Sequence, residues 1–224
     1  MSTSGTPMPH TQDLASAIEI RAVVEAWALF RDSGAWSEFG ALWHDGAWIT
    51  TTWFQGSYLN FIEAGKEAFA RGVQVNHFLG GHTSVVHGHR AIAQTKMKIE
   101  QRTRAHGVEV DVVCTGRFYD FLERRDGRWG IVRRQPIYEK DRLDVVDPSA
   151  SITLDQQLLT SVPVGYRHLG YVQTLAGRRV LDKLPGLQGE AVEHLYTSGR
   201  RWLAGTEADM LRPVFPQRST TEGS

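Results

Sequence analysis

The chain has 224 residues, room for one good core and too few for a second full domain. Lysine plus arginine and aspartate plus glutamate both number 25, so no global charge favours nucleic acid or an anionic membrane as partner. Cys114 is the single cysteine, which excludes an intrachain disulfide, and no apolar run approaches the roughly 20 residues of a bilayer span.

Residues 1–12 are polar and proline-containing, without the basic start and apolar block of a signal peptide, so a disordered start to a cytoplasmic protein is expected. From Asp13 to about Arg31, Leu14, Ile18, Val23, Val24, Trp27 and Phe30 recur at helical spacing, with Asp13 as N-cap. Ser33-Gly34 ends this helix. A short second helix is predicted over 36–43, before His44-Asp45-Gly46 turns the chain into a Trp/Ile/Thr-rich strand over 47–53. A third helix is predicted over 61–72.

Three long strands follow. Residues 76–87 close at His87-Gly88-His89. Residues 91–104 alternate, with Ala91, Ala93, Thr95, Met97 and Ile99 on one face and Lys96, Lys98, Glu100 and Arg102 on the other. An Ala105-His106-Gly107 turn feeds 108–122, where Val110, Val112, Cys114 and Phe118 share a parity. Asp126-Gly127 is a strong hairpin signal leading into a last strand over 128–138. Long neighbouring antiparallel strands preceded by helices predict an α+β fold: a cone-shaped roll whose curved antiparallel sheet wraps the N-terminal helices. The organisation expected is a roll over 13–140 and a helical C-terminal extension over 141–216. That extension carries helical patterns near 154–159, 164–175 and 190–203 and packs on the roll or on a neighbouring subunit. A frayed end covers 217–224.

His77, in the apolar, glycine-broken run Asn76-His77-Phe78-Leu79-Gly80-Gly81, reads either as a satisfied core histidine or as a general base in a pocket. Asp32 ends the first helix, where a carboxylate meets the negative end of the helix dipole. It reads as a cap for the next helix, the plainer choice, or as the partner that would hold one His77 tautomer. Arg134 could stabilise a developing anion or lie on the surface, and parity does not decide whether it or Arg133 faces inward. His82 has the opposite parity to His77 unless a bulge at Gly80-Gly81 resets the strand. His77 and His87 would stand about 33 Å apart on one strand, too far to share a metal ion, so no metal site is expected. Tyr58, Tyr119 and Tyr138 are candidate donors to a substrate oxygen, and Trp27 and Trp53 belong to a tryptophan-rich stretch that builds either core or ligand wall.

The order helix–Asp-Ser-Gly–helix, Leu42-Trp43-His44-Asp45-Gly46-Ala47-Trp48, His77-Phe78-Leu79-Gly80-Gly81, then Arg125-Asp126-Gly127-Arg128-Trp129 resembles the SnoaL-like branch of the nuclear-transport-factor-2-like superfamily over about residues 13–140. Scytalone dehydratase, hexachlorocyclohexane dehydrochlorinase and bile-acid dehydratase belong to this branch. The resemblance implies an apolar cavity and an Asp–His dyad at Asp32 and His77, with the dehydrochlorinase's arginine matching Arg134. Trp27 stands where that enzyme carries a lysine, which sets its substrate apart. The implied activity is a cofactor-independent lyase on an apolar aromatic molecule such as a polyketide or a lignin-derived aryl propanediol, losing water or formaldehyde. Tyr58, Trp27, Trp53, Tyr138, Tyr119 and His82 are the expected substrate contacts, and a homodimer or homotrimer is the expected assembly. Two other readings stand beside it: a non-catalytic small subunit of a ring-hydroxylating dioxygenase, and a ketosteroid-isomerase-like isomerase with a carboxylate base.

Overall fold

The computed structural model describes residues 11–208 and 215–216. Residues 1–10 of the expected disordered start and the expected frayed end at 217–224 lie outside the described residues. Helix α1, Thr11–Ser33, buries Ile20, Val24, Trp27 and Ala28 at three- and four-residue spacing. Leu14 and Ile18, expected in the buried set, are 54% and 63% exposed, because the face that carries Trp27 leaves them outside. Gly34, at φ 75°, reverses the chain into α2, Trp36–Ala41. Helix α3, Tyr58–Ala70, is capped by Ser57, whose hydroxyl accepts the Asn60 N–H at 3.2 Å.

The strands are β1 (Trp43–Thr50), β2 (Gln55–Ser57), β3 (Gln74–His87), β4 (Arg90–Ala105), β5 (Val108–Arg125) and β6 (Arg128–Val145). Positive φ at His106-Gly107 and Asp126-Gly127 gives the tight turns that join the last three. The sheet order is β2-β1-β6-β5-β4-β3. β1 runs parallel to β6, with Trp48 opposite Arg133 and Ile49 opposite Arg134.

The expected cone-shaped roll of curved antiparallel sheet is therefore corrected. The sheet is mixed and open, with β2 and β3 as its edges among the described residues. A tight hairpin forces neighbouring strands to run antiparallel, but five elements separate β1 from β6, so no local signal sets their relative direction.

Both faces of this open sheet are covered. On one, α1 and α3 pack with the 3₁₀ turn Val164–Tyr166 and α5 (Arg167–Leu175), so that Tyr166, Leu169 and Tyr171 share a core with Val110, Val112 and Cys114. On the other, α6 (Glu190–Leu203) sets Val192, Leu195 and Trp202 on Ile92, Phe121, Val132 and Ile137. The small helix α4, Gln156–Ser161, leads into the 3₁₀ turn. No helix of the described residues is long and apolar enough to cross a membrane.

One glycine decides how β5 meets β6. The register slips between Thr115 and Gly116, and a Cβ at Gly116 would collide with the Ile137 carbonyl oxygen, which is backbone and cannot step aside. Gly116→Ala is expected to lower unfolding free energy by about 1–3 kcal/mol, the range of overpacked cores, read by urea denaturation.

Candidate active site

Four elements build the site around His77. The last turn of α1 brings Asp32, β3 brings His77 itself, and β5 and β6 bring Phe118 and Arg134. Asp32 does not cap α2, whose N-terminus has no side-chain cap. Its carboxylate is taken instead by His77: Oδ2 accepts the backbone N–H at 2.5 Å, and Oδ1 lies 2.8 Å from Nδ1. These two bonds supply the compensation that a carboxylate at a helix C-terminus needs.

His77 is held on three sides. Its side chain is 7% exposed, with the Trp27 ring edge-on at 5.2 Å and Phe118 at 6.1 Å. Burial is the largest influence on its pKa and lowers it from 6.5. The Asp32 hydrogen bond and charge work against that shift, while Arg31 and Arg134 add to it. The imidazole is therefore neutral at pH 7. Asp32 makes Nδ1 the donor, which leaves the Nε2 lone pair free for a proton.

The β3 register shifts between Leu79 and His82. The Gly80-Gly81 bulge brings His77, opposite Ile99, and His82, opposite Thr95, to the same face. His82 nevertheless stays out of the cavity lining: its Nδ1 is 2.7 Å from the Thr95 hydroxyl, and its charged neighbours are Asp120, then Arg21 and Glu25 of α1.

Arg134 rather than Arg133 faces inward. It pairs across the sheet with Asp120 through Nε at 2.6 Å and Nη2 at 2.7 Å, both side chains fully buried. Its plane is clamped by Phe118 at 3.9 Å and Trp27 at 4.2 Å. Nη1, the remaining nitrogen, is buried without a hydrogen-bond partner among the described residues. Arg133 lies on the opposite face, over the Phe121 ring at 4.6 Å.

Between these groups lies a cavity of about 70 Å³ lined by His77, Arg134, Tyr138 and the rings of Trp27, Trp53 and Phe118. Burial holds the Tyr138 phenol well above 10, so it stays protonated, with Thr52 as its hydrogen-bond partner. The C-terminal extension closes one side with Leu169 and Gln173, where the Thr52 hydroxyl donates to Gln173 Oε1 at 2.6 Å. Arg31 also lines the cavity.

Besides His82, two further expected contacts fall elsewhere. Tyr58 stacks on Trp43 at 5.7 Å and interacts with Asp45 outside the cavity. Tyr119 lies under α6 against Tyr196 and Phe121, its phenol pushed up to about 12 by burial. Arg31, Thr52, Phe118 and Gln173 were not among the expected contacts. Arg31 is four residues from Trp27, a spacing that puts both on one helix face. Among the described residues, no group of three His, Cys, Asp or Glu side chains is disposed to hold a metal ion.

This combination of a helix-borne aspartate, a strand-borne histidine and an aromatic-walled cavity between helices and sheet coincides with a family match: the SnoaL-like domain, over residues 12–135. The chain belongs to the SnoaL-like family, as the order of its motifs implied. Pea pathogenicity protein 2 of Fusarium vanettenii is 32% identical to it over 204 residues, covering 86% of this chain and 88% of that protein. Uncharacterized protein AN9274 of Emericella nidulans is 34% identical over 208 residues, covering 86% and 87%. Among solved structures, LinA superposes with a TM-score of 0.52 at 14% identity, over 63% of this chain and 96% of that one, a likeness of fold.

Proposed function

We propose that this chain is a cofactor-independent lyase acting on an apolar aromatic molecule, with residues 13–140 as its catalytic unit and the C-terminal extension closing the cavity through Leu169 and Gln173. The observation that carries the reading is the Asp32–His77 pair, made through Nδ1, with the imidazole set in the aromatic wall of a cavity. In water loss, Nε2 takes a proton from carbon and the C–H electrons form the new double bond. The C–O bond breaks, and the imidazolium returns the proton to the departing hydroxide. In formaldehyde loss, Nε2 takes a hydroxyl proton, the adjacent C–C bond breaks, and the imidazolium reprotonates the carbanion. In either case Arg134 Nη1 is placed to stabilise developing negative charge, and Tyr138 can donate to an oxygen.

Both Asp32 oxygens are engaged by His77, which argues against Asp32 as the base of an isomerase. The dioxygenase-subunit reading offers no role for the pair. LinA and a Novosphingobium aromaticivorans structure provisionally called a scytalone dehydratase share this fold, which is consistent with elimination chemistry. The stripe of exposed Leu14, Ile18 and Leu29 along α1 supports assembly with copies of the same chain, as dimer or trimer.

The test is incubation of the protein, without added cofactor, with aromatic diols and hydroxylated polyketides under mass-spectrometric detection. Loss of water or formaldehyde from at least one compound supports the reading; no turnover across the panel removes it.

The pH dependence has a definite sign. Because the folded pKa of His77 lies below 6.5, kcat/KM should hold at neutrality and fall only on an acid limb below pH 6.5. The unfolded chain binds the proton more readily, so the stability contributed by the neutral imidazole is present above pH 6.5 and is lost as pH falls through the folded pKa. Asp32→Asn removes the influence that raises the pKa, so its acid limb should move to lower pH while its maximal rate drops. A pH–rate profile of the two proteins checks this.

A further inference from the structure

Arg31 stands between two voids. On one side is the cavity of about 70 Å³ next to His77; on the other, an open groove of about 650 Å³ runs past Asp32, Val73 and Asn76 to the far ends of β4, β5 and β6. Arg31 and Val75 line both. The inner cavity alone is too small for an aromatic ring, since a cavity that admits benzene measures about 150 Å³. A ring that reaches His77 therefore displaces part of the wall, and the wall on the groove side is Arg31 and Val75.

Arg31 is an ill-matched cation where it stands. Its side chain is 12% exposed, and its carboxylate neighbour, Asp32 Oδ1, is 3.5 Å away and already committed to His77. Arg134, by contrast, has a full two-point match in Asp120. The other acids of the groove have nearer partners: Asp111 bridges to Arg102 at 2.7 Å, Asp144 to Arg142 at 2.5 Å and Glu100 to Lys98 at 2.6 Å. A mostly buried guanidinium with one grazing contact gains most from a planar anion that fills its fork.

We propose that Arg31 binds a carboxylate of the substrate, so that the molecule acted on is an aromatic acid. Its ring enters past Val75 while its carboxylate stays at the mouth of the groove. Arg31 and His77 share one Asp32 oxygen, so the anchored carboxylate fixes which part of the molecule faces the base. The word substrate rests on the lyase reading, but binding can be measured without turnover.

Isothermal titration of the full chain at pH 7 with 2-naphthoate and with its neutral isostere 2-naphthamide tests the site. Wild type should bind the acid more tightly than the amide by about tenfold or more, the scale of a hydrogen bond to a charged group. Arg31→Gln, with an unchanged circular dichroism spectrum, should lose that preference while keeping its affinity for the amide. Arg31→Lys should retain part of it, because the charge remains and the fork does not. Equal affinities in wild type, no binding of naphthoate, or a preference that survives Arg31→Gln would each overturn the proposal. A carboxylate preference without turnover of any compound removes the lyase reading and leaves the site standing. Turnover of neutral alcohols without the preference does the reverse.

Discussion

His77→Ala should keep the fold and lose turnover by roughly 10²–10⁴-fold, the usual share of a general acid–base residue. Among the described residues that line the cavity, His77 is the one titratable side chain able to take up a proton near neutrality. Arg134 cannot take a proton, and burial keeps Tyr138 protonated. The variant is a fair test because Asp32 still receives the backbone N–H of residue 77. The carboxylate is therefore not stranded, and a large collapse of stability is not expected. Initial rates on whichever compound the mass screen identifies, together with a melting curve, separate the two effects. Near-wild-type turnover would contradict the assignment.

Asp120→Ala should be the most destabilising single change, by about 3–5 kcal/mol, because it leaves the guanidinium of Arg134 buried with no counter-charge. Nothing nearby can take over: Trp27 and Phe118 cover its faces, and water has no access to either side chain of the pair. The double variant Asp120→Leu with Arg134→Met removes both charges and should recover most of the lost stability, since well-packed apolar replacements of buried ion pairs are often neutral or better. It should not recover turnover, because Nη1 is gone. Urea denaturation of wild type, single and double variants, paired with rates, tells a structural arginine from a working one.

The contrast between Asp120 and Tyr119 shows what could be read from the chain alone. Val110, Val112, Cys114 and Phe118 share the helix-facing parity of β5, and Asp120 continues it, so a buried charge was legible there. Tyr119 reads as a hydrogen-bond donor by residue type, but its parity sends it to the other face. The helices at 164–175 and 190–203 were visible as apolar patterns, and the Gly80-Gly81 bulge as a glycine pair. The parallel pairing of β1 with β6 was not, because sequence pattern reports which face a strand buries and not which distant strand it meets. The same limit hid Gln173: its partner Thr52 is 121 residues away, and only the folded extension brings them together. Asp32 is the residue whose role the sequence separates least. A cap and a histidine partner make identical demands on a carboxylate at a helix end, and only the position of β3 separates them.

His77 presents an unprotonated Nε2 because Asp32 accepts the hydrogen bond of Nδ1–H. Nitrogen-15 NMR of the histidine side chains, assigned through loss of the His77 signals in His77→Ala, measures this directly without any substrate. At pH 7 the His77 ring should be neutral with the proton on Nδ1, its titration midpoint should lie below 6.5, and Asp32→Asn should move the midpoint lower. A proton on Nε2, or an imidazolium at pH 7, would contradict this assignment.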